Sequence, residues 1–328
     1  IVGDSPMPNC NLKNLMNSAH YNSVWSSCKE RNISLEIMDF REDITTGFAN
    51  EVQKTSGESE VVVDLGKASY FTEIEDKVGR FRNGIVDAAK MNTFYHVKGH
   101  HRYGINKEIL NADVIINLPK PKTHRKAGYT AALKNYIGVC SRKISIPHNV
   151  TGNIKEGGDT YHGPKFIFGT EGRLRDMETH ALANEKNLKG TIIKCLRIPF
   201  WCFRKITHKK YYGTGNWYKN DTIWRAILDI NRIVIYANKQ GKLEKLPQRK
   251  FLSIGDMIIA GEGNGPLGPS PKEMGVILVS EDPVAFDKVV VKIMGFDANK
   301  IPVLKNITKI PYYKIANDEE ILTISNIN

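Results

Sequence analysis

Residues 118–139 read LPKPKTHRKAGYTAALKNYIGV, and the chemistry they offer is the holding of negative charge. Lys120, Lys122, His124, Arg125 and Lys126 crowd a stretch that Pro119 and Pro121 keep extended. Gly128 allows close backbone approach, and GYTAALKNYIGV is expected to begin a helix, so the cations would face free N–H groups that themselves attract anions. Lys120, Lys122, Lys134 and Asn135 are therefore candidate contacts to a phosphate or carboxylate, and His124 is a candidate for proton transfer. A solvated basic loop is the plain alternative.

Two further loops carry polar chemistry. GEGNGPLGPSP at 261–271 packs four glycines and three prolines around Glu262 and Asn264. It matches neither a Walker A loop nor a dinucleotide-binding GxGxxG, so ordinary turn architecture competes with a backbone cradle in which Asn264 and Gly265 meet a ligand. Glu262 is the second proton-transfer candidate. PHNVTGNIKEGGDTYHG at 147–163 contributes His148, Glu156, Asp159 and His162, a mixture with no recognised ligand spacing. His148 reads as a substrate contact, and Asp159 with Asp256 as the pair that would hold a divalent cation, the one cofactor class considered. Asp221 and Arg225 complete the substrate-binding candidates. Asp287 shares a helical face with Val284, Val290, Val291 and Met294, where a carboxylate must be paired, and a structural role is expected of it.

These residues need elements to position them. ADVIINL at 112–118 is a continuous apolar run, as in a strand covered on both faces, and it delivers the cationic loop at its carboxyl end, where open parallel sheets bind ligands. IVGD, the stretch 12–31 and ISLEIMDF read as strand, helix and strand, with the opening residues resembling a strand already in progress. VVVDL at 61–65 is a further strand, and residues 41–110 read as an insertion or lid. Residues 171–188 suit a polar helix. NDTIWRAILDINRIVIY at 220–236 is a helix with Asn220 as cap, and GVILVS at 275–280 is a strand before a helix that Asp282 caps and Pro283 starts. Strands alternating with helices predict an α/β fold, a mostly parallel sheet flanked by helices, in one unit spanning 1–328 with an inserted lid or second lobe.

The chain has 328 residues, 41% apolar and 25% charged, ordinary for a globular protein, but its net charge of +12 favours an anionic partner. Five cysteines without a CxxC pair support neither a zinc site nor an iron–sulfur cluster. Nucleic acid is disfavoured because no RNA-recognition pattern, zinc finger or helix-turn-helix accompanies the basic clusters. Residues 186–212 form a basic amphipathic segment. Drawn as one helix, it puts Lys194, Arg197, Arg204, Lys205 and His208 on one face and Ile192, Ile193, Leu196, Phe200 and Phe203 on another. It is too short and charged to cross a bilayer core of about 30 Å, but suits an anionic membrane surface.

Taken together, ADVIINLPKPKTHRKAGYTAALKNYIGV and IIAGEGNGPLGPSPKEMGVILVSEDPVAFDKVVVKIMGFD resemble the bacterial and archaeal domain-of-unknown-function family 362. The resemblance implies an α/β fold and lends weight to Lys120, Lys122, His124, Lys134, Asn135, Glu262, Asn264 and Gly265. Some relatives carry a ferredoxin-type module whose cysteines this chain lacks. The resulting expectation is a cytoplasmic enzyme at the inner face of the membrane, acting in cell-surface glycan or glycolipid assembly on a phosphate-bearing or lipid-linked sugar, by glycosyl transfer. The alternatives are an isomerase or racemase of a small carboxylate and a non-catalytic protein that binds a glycan intermediate.

Overall fold

The computed structural model describes residues 1–4, 12–18, 21–46, 51–54, 59–82, 94–183, 187–208, 211, 219–316, 321 and 324–325. Helices and strands intermingle along the chain, as the α/β reading requires. The principal sheet is mixed, however, and not mostly parallel. Its axis is the long strand Lys250–Asn264, which runs parallel to Val114–Asn117 over Lys250–Ser253 and meets Lys122–His124 in parallel at Gly261. Along its other edge it pairs antiparallel with Gly268–Ser280, with an irregularity between Met257 and Ile259. Lys122–His124 is in turn antiparallel to Gly128–Thr130. A hairpin needs only a short turn, whereas parallel neighbours need a crossover, and the glycine- and proline-rich tract at 261–271 supplies such a turn.

Two consequences correct the sequence reading. GYT belongs to a strand, and the helix that follows is short, Ala132–Asn135. The strand at Val114–Asn117 is covered on one face only, for Val114, Ile116 and the following Leu118 are exposed. An apolar run reads alike whether one layer or two packs on it, so periodicity could not tell them apart. On the covered face, the helix Pro283–Ile293 packs so closely that a Cβ at Gly255 would meet the Phe286 ring. Asp282 caps that helix as expected, accepting from Val284 N at 2.7 Å and Ala285 N at 3.0 Å.

The core is organised by the helix Ile223–Tyr236, buried on nearly every side. Asn220 does cap its entry, its Oδ1 accepting from Ile223 N at 3.0 Å. Polar residues of this helix are paired within the core. Asp229 accepts from Tyr70 N at 2.9 Å and Tyr103 OH at 3.0 Å. Arg232 donates to Ala68 O at 2.7 Å and Tyr70 OH at 3.2 Å, with its guanidinium 4.3 Å from the Tyr70 ring centroid.

The opening strands Val2–Asp4 and Ile37–Asp39 pair in parallel. Within the span read as a lid, Glu60–Asp64, His100–Asn106 and His96–Val97 form a three-stranded antiparallel sheet that gives Val63, Tyr103 and Ile105 to the core. Residues 47–50, 55–58 and 83–93 of that span lie outside the described residues. The helix Lys165–Ala183 covers most of the expected polar helix, whose residues 184–186 lie outside the description.

Candidate functional site

The site is built where the hairpin Lys122–Thr130 meets the turn after Lys250–Asn264. Thr123 Oγ1 donates to Gly263 O at 3.0 Å, and Arg125 N donates to Gly265 O at 3.1 Å. A Cβ at Gly265 would collide with the Thr123 carbonyl oxygen, so this position needs glycine for close approach of two backbones. Gly263 and Gly265 thus support the cationic loop through main chain, while Asn264 pairs with Gly268 across the turn. Gly128 is required for its φ of +87°, which turns the hairpin.

The helix start expected to draw an anion is already occupied. Asp287 accepts from Ala132 N at 2.7 Å, Leu133 N at 3.2 Å and Tyr129 OH at 2.6 Å. Burial pushes its carboxyl up to about 7 while these three donors pull it down. Asp287 therefore has the structural role expected, and it locks the short helix onto the helix Pro283–Ile293.

What converges instead is a set of lysines and histidines. His124 is buried, and its Nδ1 accepts from Lys126 N at 3.0 Å and Ala127 N at 3.1 Å. An Nδ1 that accepts two backbone protons leaves the ring's own proton on Nε2, so His124 presents a donor. Burial, then the charges of Lys134, His148 and Lys126, hold its pKa down at about 2. His148 has the opposite tautomer: its Nδ1 faces Ile146 O at 2.8 Å and must donate, which leaves a lone pair on Nε2. Burial and the charge of Lys126 keep it well below the usual imidazole range.

Lys126 is only 8% exposed, and Lys134 is half-buried; neither ammonium has a hydrogen-bonding or ion-paired partner among the described residues. Burial, with Lys143, Lys122 and Lys126 close by, lowers Lys134 to about 7. Burial lowers Lys126 to about 8 against the pull of Asp159. Lys143 and Lys122 are depressed as well, their ammoniums donating to Ile137 O and Lys120 O at 3.1 Å each. Asp159, 1% exposed, is the carboxylate of this neighbourhood; it accepts from Val150 N at 3.1 Å and Asn220 Nδ2 at 2.7 Å, and burial raises it to about 7. Asn220 also donates to His148 O at 2.8 Å, tying the loop 147–163 to the start of the central helix.

The other expected residues fall elsewhere. Lys120 is exposed and paired with Asp256 at 2.7 Å, and Asp256 lies apart from the buried Asp159 neighbourhood, on the exposed strand position beside Lys120. Among the described residues no three His, Cys, Asp or Glu side chains gather as a metal would need. Glu262 is exposed, 3.7 Å from Lys272. Asn135 donates to Asn117 Oδ1 at 2.7 Å, and Asn117 to Ala132 O at 2.9 Å, so the pair ties strand end to helix. Arg225 donates to Asp221, Glu73 and Tyr70 O and has no donor left over for a ligand. Glu156 pairs with Lys165 at 3.4 Å and His162 is exposed. Lys126, Lys143 and Asn220 were not singled out as ligand contacts; Lys126 stands two residues beyond His124, and that spacing was the available signal.

Residues 57–292 match a family described as "Domain of unknown function (DUF362)". The match covers well over half of the chain, and the chain belongs to that family. No curated protein and no solved structure matches it.

Proposed function

We propose that this protein is an enzyme that binds a phosphate-bearing sugar over Lys122, Lys126 and Lys134 and transfers its glycosyl group, in the assembly of a cell-surface glycan or glycolipid. The observation that supports it is that Lys126 and Lys134, whose ammoniums have no partner among the described residues, lie close enough to His124 and His148 to lower the proton affinity of both rings. Buried like charges are costly until an anion joins them. A phosphate would offset that cost, restore the protons the lysines tend to shed, and accept from His124 Nε2–H.

In the transfer, the bond between the anomeric carbon and the phosphate oxygen breaks, with the electron pair leaving on phosphate. The acceptor hydroxyl oxygen forms the new bond, and its proton passes to a neutral base. His148 Nε2 carries a lone pair for that purpose. The lysines stabilise the departing phosphate as well as the bound one. With no phosphate to hold its proton, Lys134 near 7 is a second base beside His148, which keeps isomerisation of a small carboxylate as the second reading.

Calorimetric titration with inorganic phosphate and with a panel of sugar nucleotides, followed by turnover with lipid acceptors, tests both. A charge-assisted hydrogen bond is worth about 1.5–3 kcal/mol, so Lys126→Met and Lys134→Met are each expected to weaken phosphate binding about 10- to 100-fold. Binding unchanged in both variants would remove the proposal; turnover of a hydroxy or amino acid in place of any sugar would select the second reading.

A further inference from the structure

The helices Asn187–Leu196 and Ile198–Thr207 each have two apolar faces, and the fold accounts for only one. The segment is not the single helix drawn from sequence; it breaks at Arg197, just before Pro199. Inward, Gly190 and Ile193 are buried, and Phe203 meets the Phe168 ring at 6.3 Å on the helix Lys165–Ala183. Arg197 pairs with Glu178 and Arg204 with Glu171, so two cations expected on the outer face are turned toward buried or half-buried acids.

Outward, Leu188, Ile192 and Leu196 recur every fourth residue, and Ile198, Trp201 and Ile206 continue the stripe. Leu188 is 77% exposed, Ile206 79%, and the other four are exposed by more than half. Beside them stand the exposed Lys189 and Lys205, the latter 5.6 Å from the Trp201 ring centroid, with the exposed Lys194 on the flank of its helix. From 187 to 208 the chain has five lysines and arginines and no aspartate or glutamate. Such a face cannot pair with a second copy of itself without setting cation against cation. An aromatic and aliphatic stripe edged by unopposed lysines is complementary to an anionic bilayer surface, apolar below and negative at the headgroups. Neither helix is long and apolar enough to cross a membrane.

We propose that this face docks in the plane of an anionic lipid bilayer, with the six apolar side chains seated at the acyl boundary and Lys189, Lys194 and Lys205 among the headgroups. The inference rests on the proposed role in glycan or glycolipid assembly and not on the chemistry of the lysine cluster.

Flotation of the full chain with phosphatidylcholine vesicles, with and without phosphatidylserine, tests it. Binding is expected to anionic vesicles only, to weaken with salt, and to fall about 100-fold on Lys189→Glu with Lys194→Glu and Lys205→Glu. Leu196→Ser with Trp201→Ser and Ile206→Ser, all at exposed positions, is expected to abolish it while leaving phosphate titration unchanged. Lys126→Met is expected to do the reverse, so the two proposals fail separately. No binding to either vesicle, equal binding by the serine variant, or a dimer that the same serines dissolve would overturn the inference.

Discussion

The protein buries charge in two places and treats it oppositely. Around the helix Ile223–Tyr236, Asp229, Arg232 and Arg225 are each surrounded by protein donors and acceptors. Around His124, Lys126 and Lys134, cations lower one another's proton affinity, whereas burial raises Asp159 here and Asp229 in the central helix alike. The first network holds the chain in one arrangement. The second leaves cations beside one another, and that difference is the basis for proposing it as a binding site.

The largest expected effect breaks the first region. Removing one partner of a buried ionic network costs about 3–5 kcal/mol, so Arg232→Met should cause a large drop in urea midpoint. Lys134→Met, which removes an unopposed charge, should leave stability unchanged or raised in the same measurement. Equal losses would dissolve the contrast.

Next is the pH dependence of binding. Lys134 and Lys126 lose protons as pH rises through about 7 and about 8, so phosphate affinity should fall over that interval. Titration at several pH values should show about a tenfold loss per pH unit for each proton lost above its pKa. Lys134→Arg, which keeps its charge, should flatten the profile.

Stability should carry the complementary signature. Asp159 has a raised carboxyl, so between its ordinary range near 4 and about 7 the folded state holds a proton that the unfolded state has released. Stability therefore falls as pH rises through that window, and Asp159→Asn should reduce the slope by up to about 1.4 kcal/mol per pH unit, read from chemical denaturation. The smallest effect is Lys120→Ala: its exposed pairing with Asp256 is worth about 1 kcal/mol or less, and phosphate affinity should change little.

Much of this contrast was legible only in part. The capping residues Asn220 and Asp282, and the need of Asp287 for a partner, followed from local rules that tertiary context did not overturn. His124 and Lys134 were legible as candidates, but their protonation was not. Which nitrogen of His124 holds the proton depends on backbone donors at 126 and 127, and the state of Lys134 depends on Lys122 and Lys126 of one hairpin and on Lys143 beyond it. Asp221 and Arg225 read as substrate contacts because Glu73 and Tyr70, which occupy Arg225, are about 150 residues away in the chain.

The sequence alone determined that this protein would hold its glycine–proline turn and its lysine-rich loop as distinct, chemically marked segments, because prolines, glycines and charge clusters constrain only their own neighbourhood. The tertiary structure decided which cations are neutralised and which are left open. Pairing joins residues distant in the chain, and burial, which sets proton affinity, is a property of all the atoms packed around a group.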